Sequence, residues 1–162
     1  MTKRVRETSG PAVDIVVASP HWKRVPAAQR LIEDAIIAAA PRAARKTEVT
    51  IVLTDDGAIR KLNRRWRKLD RATNVLSFPA PIVLRGAPRF LGDIVIAYQT
   101  VAAEAKARRM PFDHHLVHLA VHGFLHLLGY DHESDDEAER MERRESRILV
   151  SLAIPDPYAV SR

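Results

Sequence analysis

A chain of 162 residues, 46% apolar and 28% charged, is sized for one domain with its own core and has ordinary globular composition. It contains no cysteine, which excludes thiolate metal ligands, a thiol nucleophile and a disulfide framework, and fits a reducing compartment. Lysine and arginine number 26 against 20 acids, a net charge of +6, and that excess favours a polyanionic partner without requiring one. The N-terminal stretch MTKRVRETSGPAVDIVV has no apolar run of signal-peptide length, and no segment approaches a membrane span. The expectation is a soluble, cytoplasmic protein with no membrane partner.

AVDIVV (12–17) is short and β-branched and predicts a first strand. VPAAQRLIEDAIIAAAP follows, with Pro26 near a first helical turn, Pro41 as its stop and an apolar face of Leu31, Ile32, Ala35 and Ile36. EVTIVLT (48–54) predicts a second strand. In TDDGAIRKLNRRWR, Thr54 or Asp55 can cap a helix in which Ile59, Leu62 and Trp66 recur at helical spacing. TNVLSFP (73–79) predicts a third strand and GDIVIAY (92–98) a fourth, and between them APIVLRGAPRFL reads as a mobile surface loop rich in Pro and Gly. VAAEAKARR is helical, PFD interrupts it, and HHLVHLAVHGFLHLLG forms a long apolar helix ending at Gly129. A polar helix over about 135–150 closes the series. Strands gathered early and helices gathered late predict an α+β domain, a small mixed four-stranded sheet packed with about five helices. Strand order does not follow from the sequence. A single domain spans 1–162, with 1–10 and 155–162 expected to fray.

HGFLHLLGYDH (122–132) carries the chemistry. His122 and His126 are four residues apart and share a helix face, and Gly129 can end the helix in a left-handed conformation. His132 can then swing back toward the pair. Three imidazoles with a fourth position open form the arrangement of a catalytic zinc site at the end of this helix. Histidines at 114, 118, 122 and 126 also form a stripe, but four-residue steps drift by about 40° each, so all four cannot share one ion. His114, His115 and His118 read as helix-surface or core-edge residues that orient neighbours. Asp131 and Glu133 flank His132 and receive no role. The same histidine spacing occurs in metzincin peptidases, which place a general-base Glu directly after the first histidine. Here that residue is Gly123, so a metallopeptidase would lack its proton acceptor.

RKLNRRWRKLDR (60–71) holds seven basic residues, one acid and a tryptophan. Such a run is often a solvated face, and Trp66 at this spacing reads as core rather than as a base-stacking platform. The density also suits phosphate, because arginine grips two oxygens at once and stays charged. Lys61, Arg64, Arg65 and Lys68 are the candidate RNA contacts.

The combination of LNRRWRKLDRATNVLSFP, LGDIVIA and HGFLHLLGYDH resembles the YbeY family of bacterial endoribonucleases, in motif order from about Leu62 to His132. The resemblance implies that His122, His126 and His132 bind one Zn2+ and that Arg67 serves in RNA cleavage. Asn74 stands where many members carry Asp and is given no catalytic role. It further implies single-strand-specific cleavage of RNA, maturation of the small-subunit rRNA 3′ end, ribosome quality control, and the ribosome or its small subunit as partner. The expected mechanism is metal-assisted hydrolysis, with Arg67 stabilising charge on the phosphoryl oxygens and either water or the RNA 2′-hydroxyl as nucleophile. The alternative from another class is a ribosome-associated RNA-binding factor whose metal is structural.

Overall fold

β-Branched runs form the sheet and the apolar helices cover it. The computed structural model describes residues 10–81 and 89–159. Its strands are β1 (Ala12–Val17), β2 (Thr47–Thr54), β3 (Val75–Pro79) and β4 (Arg89–Ala97), and its α-helices are α1 (Ala28–Ala39), α2 (Asp56–Arg67), α3 (Tyr98–Ala107), α4 (Phe112–Leu127) and α5 (Asp135–Ser151). The strands lie in the order β1-β2-β4-β3. β1, β2 and β4 are mutually parallel, and β3 runs antiparallel to β4 along the edge. The mixed α+β architecture expected from the sequence is therefore present.

Alternation along β4 separates two cores. Ile94 and Ile96 point to one face, where they meet Ile32 and Ile36 of α1 and Leu116, Ala120 and Phe124 of α4. Val95 and Ala97 point to the other, where Ile59 of α2 and Leu76 of β3 meet them. Each such fully buried side chain contributes about 1.5–3 kcal/mol, so α4 is held over its whole length on the larger core.

Two local features aim the ends of the helices that matter. Asp55 caps α2 by accepting from Ala58 N at 2.9 Å, and Lys68 ends it in the left-handed region at φ 60°. Asn63 holds the turn that follows, its carbonyl accepting from Leu69 N and its Nδ2 donating to Arg71 O at 3.0 Å. Gly129 lies at φ +99°, and Gly129 N and Tyr130 N donate to the carbonyls of His126 and Leu125. That reversal is the one the sequence calls for at the end of α4. Gly123 allows α4 to approach the sheet edge. A Cβ there would meet Ile94 Cγ2 at 2.9 Å and Ser77 Oγ at 3.0 Å, and Ser77 Oγ donates to Gly123 O at 2.9 Å.

Three expectations are corrected. Trp66 is not in the core: it is 61% exposed, because the apolar cluster under α2 reaches Ile59 and Leu62 and stops one turn short of it. The tail from 155 is anchored through its described residues, since Asp156 accepts from Ser146 Oγ at 2.8 Å and Tyr158 reaches the buried Glu145. The expected loop 80–91 gives Arg89, Phe90 and Leu91 to β4, where a register shift and Gly92 at φ +136° let the strand start earlier than its alternation suggests. Residues 82–88 of that loop lie outside the described residues, as do 1–9 and 160–162. Among the described residues no helix is long and apolar enough to cross a membrane.

Candidate metal centre and cleft

His122 and His126 sit on the last turns of α4, and the Gly129 reversal returns His132 to them. The ring centroids lie 4.6 Å apart for His122 and His126, 5.1 Å for His126 and His132, and 6.2 Å for His122 and His132. The Nε2 atoms of His122 and His126 face each other at 3.0 Å. Two imidazoles on one tetrahedral zinc, each with a Zn–N distance near 2.0–2.1 Å, place their nitrogens about 3.3 Å apart. The His122–His126 pair therefore has the spacing of two ligands on one divalent ion. A second grouping overlaps this pair at His126 and leaves out His122: ligand atoms of His126, Asp131 and His132 all lie within 4.8 Å of one another. Asp131 Oδ1 also accepts from His132 N at 2.8 Å, so the acid helps to shape the turn that returns His132.

The second ring nitrogen of His122 is held from behind. His122 Nδ1 bonds Glu145 Oε1 at 2.5 Å, and the other carboxylate oxygen takes His118 Nε2 at 3.0 Å and Tyr158 OH at 2.5 Å. Glu145 comes from α5 and is fully buried. Burial alone would raise its carboxyl, but the hydrogen bonds from His118, His122 and Tyr158 outweigh it and hold Glu145 down to about 2. The ionised acid keeps the Nδ1 proton on His122 and leaves Nε2 free as a ligand, the usual way a carboxylate orients a metal-binding histidine. Burial, then the nearby His122 and His132, push His126 below the ordinary histidine range, which also suits a neutral ligand.

His115 and His118 stay apart from the trio. Glu104 of α3 binds His115 Nε2 at 3.1 Å and accepts from Asn74 Nδ2 at 2.8 Å, while Asn74 Oδ1 accepts from Val75 N. Asn74 thereby ties the start of β3 to α3 and α4. Burial, ahead of Glu104, sets the direction for His115, which is lowered.

His115, His118, His122, His126, His132 and Tyr158 line one cleft of about 870 Å³. Its histidine wall is α4 and the 129–133 turn, and its other wall includes Thr73, Asn74, Ser77 and Arg67. Of the basic residues singled out in the sequence, Arg67 is the one that lines this cleft. Lys61 and Arg64 border a separate groove beside Arg60 and Asp70, where Arg60 Nε pairs with Asp70 Oδ1 at 2.9 Å. Arg65 lies over the Trp66 ring, 5.1 Å from its centroid, and Lys68 forms the turn. The position after His122 cannot carry a general base, because the Cβ direction of Gly123 is filled by Ile94 and Ser77.

The family profile described as Endoribonuclease YbeY matches residues 19–153. The chain belongs to the YbeY endoribonuclease family. A relative from Bradyrhizobium sp. (strain BTAi1) is 54% identical over 157 residues, covering 92% of this chain and 93% of its own. Another, from Bradyrhizobium diazoefficiens, is 50% identical and covers 98% of this chain and 91% of its own. Both are named Endoribonuclease YbeY. The solution structure of TM1509 from Thermotoga maritima shares the fold, with a TM-score of 0.53 at 23% identity over 87% of this chain and 91% of that one.

Sequence reasoning missed Glu145, Tyr158 and Glu104. For Glu145 a signal existed: it stands on the stripe Met141, Glu145, Ile148, Leu149, all buried, so an acid occupies a core position of an amphipathic helix. Tyr158 and Glu104 had no such mark.

Proposed function

We propose that this chain is a metal-dependent endoribonuclease that cuts single-stranded RNA in the cleft, with one zinc ion held by His122, His126 and His132. Its enzymatic class, a hydrolase acting on RNA, follows from the family to which it belongs. The observation that carries the metal reading is the facing pair of Nε2 atoms at 3.0 Å with a buried carboxylate behind His122. Bound there, zinc supplies a Lewis acid and lowers the pKa of a coordinated water. Arg67, exposed on the opposite wall and without an ion pair among the described residues, binds the phosphoryl oxygens and offsets the charge they gain in the transition state. Glu145 holds the His122 tautomer, and Tyr158 and His118 hold Glu145. Ribosomal RNA at the 3′ end of the small subunit is the substrate the resemblance supports, with the ribosome as partner, quality control of ribosomes as the setting and the cytoplasm as the place. The net charge of +6 agrees with such a polyanion.

The test is cleavage of a single-stranded RNA and of its duplex by the wild-type protein and by His122→Ala/His126→Ala, purified alike and matched for folding. Cutting confined to the wild type and to the single strand, and abolished by chelation, is the expected result. Equal cutting by both proteins would assign the activity to a contaminant. The chemistry of the product ends identifies the nucleophile, since a 2′,3′-cyclic phosphate requires attack by the RNA 2′-hydroxyl.

A second reading is favoured by one observation, the closeness of Asp131 to His126 and His132. If Asp131 completes a four-ligand shell, the ion is structural and the protein is an RNA-binding assembly factor. X-ray absorption on the zinc-loaded protein separates the two by counting the protein ligands.

A further inference from the structure

Trp66 occupies an unusual place. It lies seven residues after Ile59 and four after Leu62, on the face that α2 turns to the sheet, yet it is 61% exposed. The apolar cluster that takes Ile59 and Leu62 does not include it. An indole left in water over most of its surface gives up a large part of the roughly 1.5–3 kcal/mol that burying a large apolar side chain is worth, and Leu69, 42% exposed, stands three residues further on. The surroundings are cationic: Arg64, Arg65, Arg67 and Lys68 are its neighbours in sequence and all are exposed. Arg65 lies over the ring at 5.1 Å. Arg67, the next residue, lines the cleft.

An apolar docking partner of protein character would have to leave those four cations unpaired or bring its own acids. A single-stranded nucleic acid satisfies both features at once, since its phosphates pair with the cations and its unstacked bases need a flat aromatic surface. We propose that Trp66 is a stacking platform for a nucleobase of the RNA substrate, one that flanks the phosphate held by Arg67. The chain runs from the cleft over the end of α2, with a phosphate on Arg67 and the neighbouring base on the indole. Arg65 frames the ring from one side and reinforces the stack as a cation on a π face. A duplex keeps its bases stacked on one another and cannot use this platform, so Trp66 is also a determinant of preference for single strands. The proposal rests on the RNA-cleft reading above and deepens it.

The protein has two tryptophans, and Trp22 is buried with its Nε1 donating to Thr54 O at 2.8 Å. Solvent-exposed tryptophan fluorescence therefore reports on Trp66. The experiment titrates the full-length protein with an oligouridylate of about ten nucleotides, reading emission in a stopped-flow instrument before cleavage proceeds. Steady-state cleavage is measured in parallel for wild type, Trp66→Phe, Trp66→Leu and Trp66→Ala. Stacking predicts quenching of the exposed emission on binding. It also predicts a KM raised roughly 5- to 100-fold in Trp66→Ala and Trp66→Leu, with kcat within about twofold, and most of the affinity retained in Trp66→Phe. Wild-type KM in Trp66→Ala, or Trp66→Leu performing as well as Trp66→Phe, overturns the platform and leaves the cleft reading standing. Quenching that follows protein concentration without RNA also overturns it, because a second copy of the chain would then cover the ring. Wild-type protein that neither binds nor cuts the RNA overturns the cleft reading itself.

Discussion

The two walls of the cleft are built on opposite terms. On the α4 side, His118 and Glu145 are buried, His122 and His126 half-buried, and Glu145 fixes the ring of His122 through Nδ1. On the α2 side, Arg67 and its basic neighbours are exposed, and among the described residues Arg67 has no ion pair. On the function proposed above, the difference follows from what each wall would have to hold. A metal ion demands donors placed within tenths of an ångström, which only locked side chains provide. A polyanion demands charge and reach, and long flexible cations provide both while remaining hydrated until the phosphate arrives.

Breaking the rigid wall has the largest effect. His122→Ala/His126→Ala should lose both zinc and cleavage to the uncatalysed background while keeping its circular dichroism, since both histidines are half-buried and line the cleft, and the core residues beside them, Phe124, Leu125 and Leu127, are left in place. Zinc measured by mass spectrometry together with single-turnover cleavage checks this. Retained cleavage would move the chemistry away from the histidines. Removing the Arg67 charge from the same cleft comes next. Arg67→Ala should reduce kcat by about 10²- to 10³-fold, the cost of one preorganised donor to a developing oxyanion, at unchanged zinc content. Arg67→Lys should recover part of that loss, because it keeps charge and loses the bidentate grip.

A subtler break touches neither metal nor substrate. Glu145→Gln keeps the size of the side chain but removes the charge that holds His118, His122 and Tyr158 together. Zinc affinity should fall by about 10- to 100-fold, the range for lost outer-shell carboxylates, measured by competition with a calibrated chelator. Glu145→Ala should in addition lower the melting temperature, since each buried polar group left unpaired costs about 1–3 kcal/mol. A zinc affinity unchanged in Glu145→Gln would mean that the acid serves packing between α4 and α5 and does not tune the ligand.

The same contrast explains what was legible in the sequence. The histidine wall is local: a pair four apart, a glycine and a third histidine lie within eleven residues, so helix geometry alone brings them together. The strands were legible for the same reason, through short β-branched runs such as EVTIVLT, whose Val49, Ile51 and Leu53 share the buried face. What supports the wall is not local. Glu145 lies 23 residues beyond His122 and meets it through the packing of α5 on α4, which periodicity within one helix does not specify. Trp66 failed in the opposite sense: its helical spacing was read correctly, but where the sheet under α2 ends is a tertiary fact. Strand order, and the entry of β3 antiparallel on the edge, are likewise set by chain connections across the sheet.

The cations of α2 that lie away from the cleft should respond least to any single change, and how they respond distinguishes them from Arg67. Lys61 and Arg64 border a groove beside Asp70 and not the cleft, and Asp70 is held below the ordinary aspartate range by its hydrogen bond to Arg60 and by the charges of Arg60 and Arg64. If RNA extends over this side of α2, Lys61→Ala or Arg64→Ala should weaken binding only a few-fold at low salt, since these cations are solvated and screened. Each should also flatten the plot of log binding constant against log salt by about 0.7, the contribution of one phosphate contact to a single strand. A flattened slope at unchanged kcat places the residue on the RNA path. An unchanged slope confines the path to Arg67 and the residues beyond it, and leaves Lys61 and Arg64 as the solvated face that a charge run most often forms.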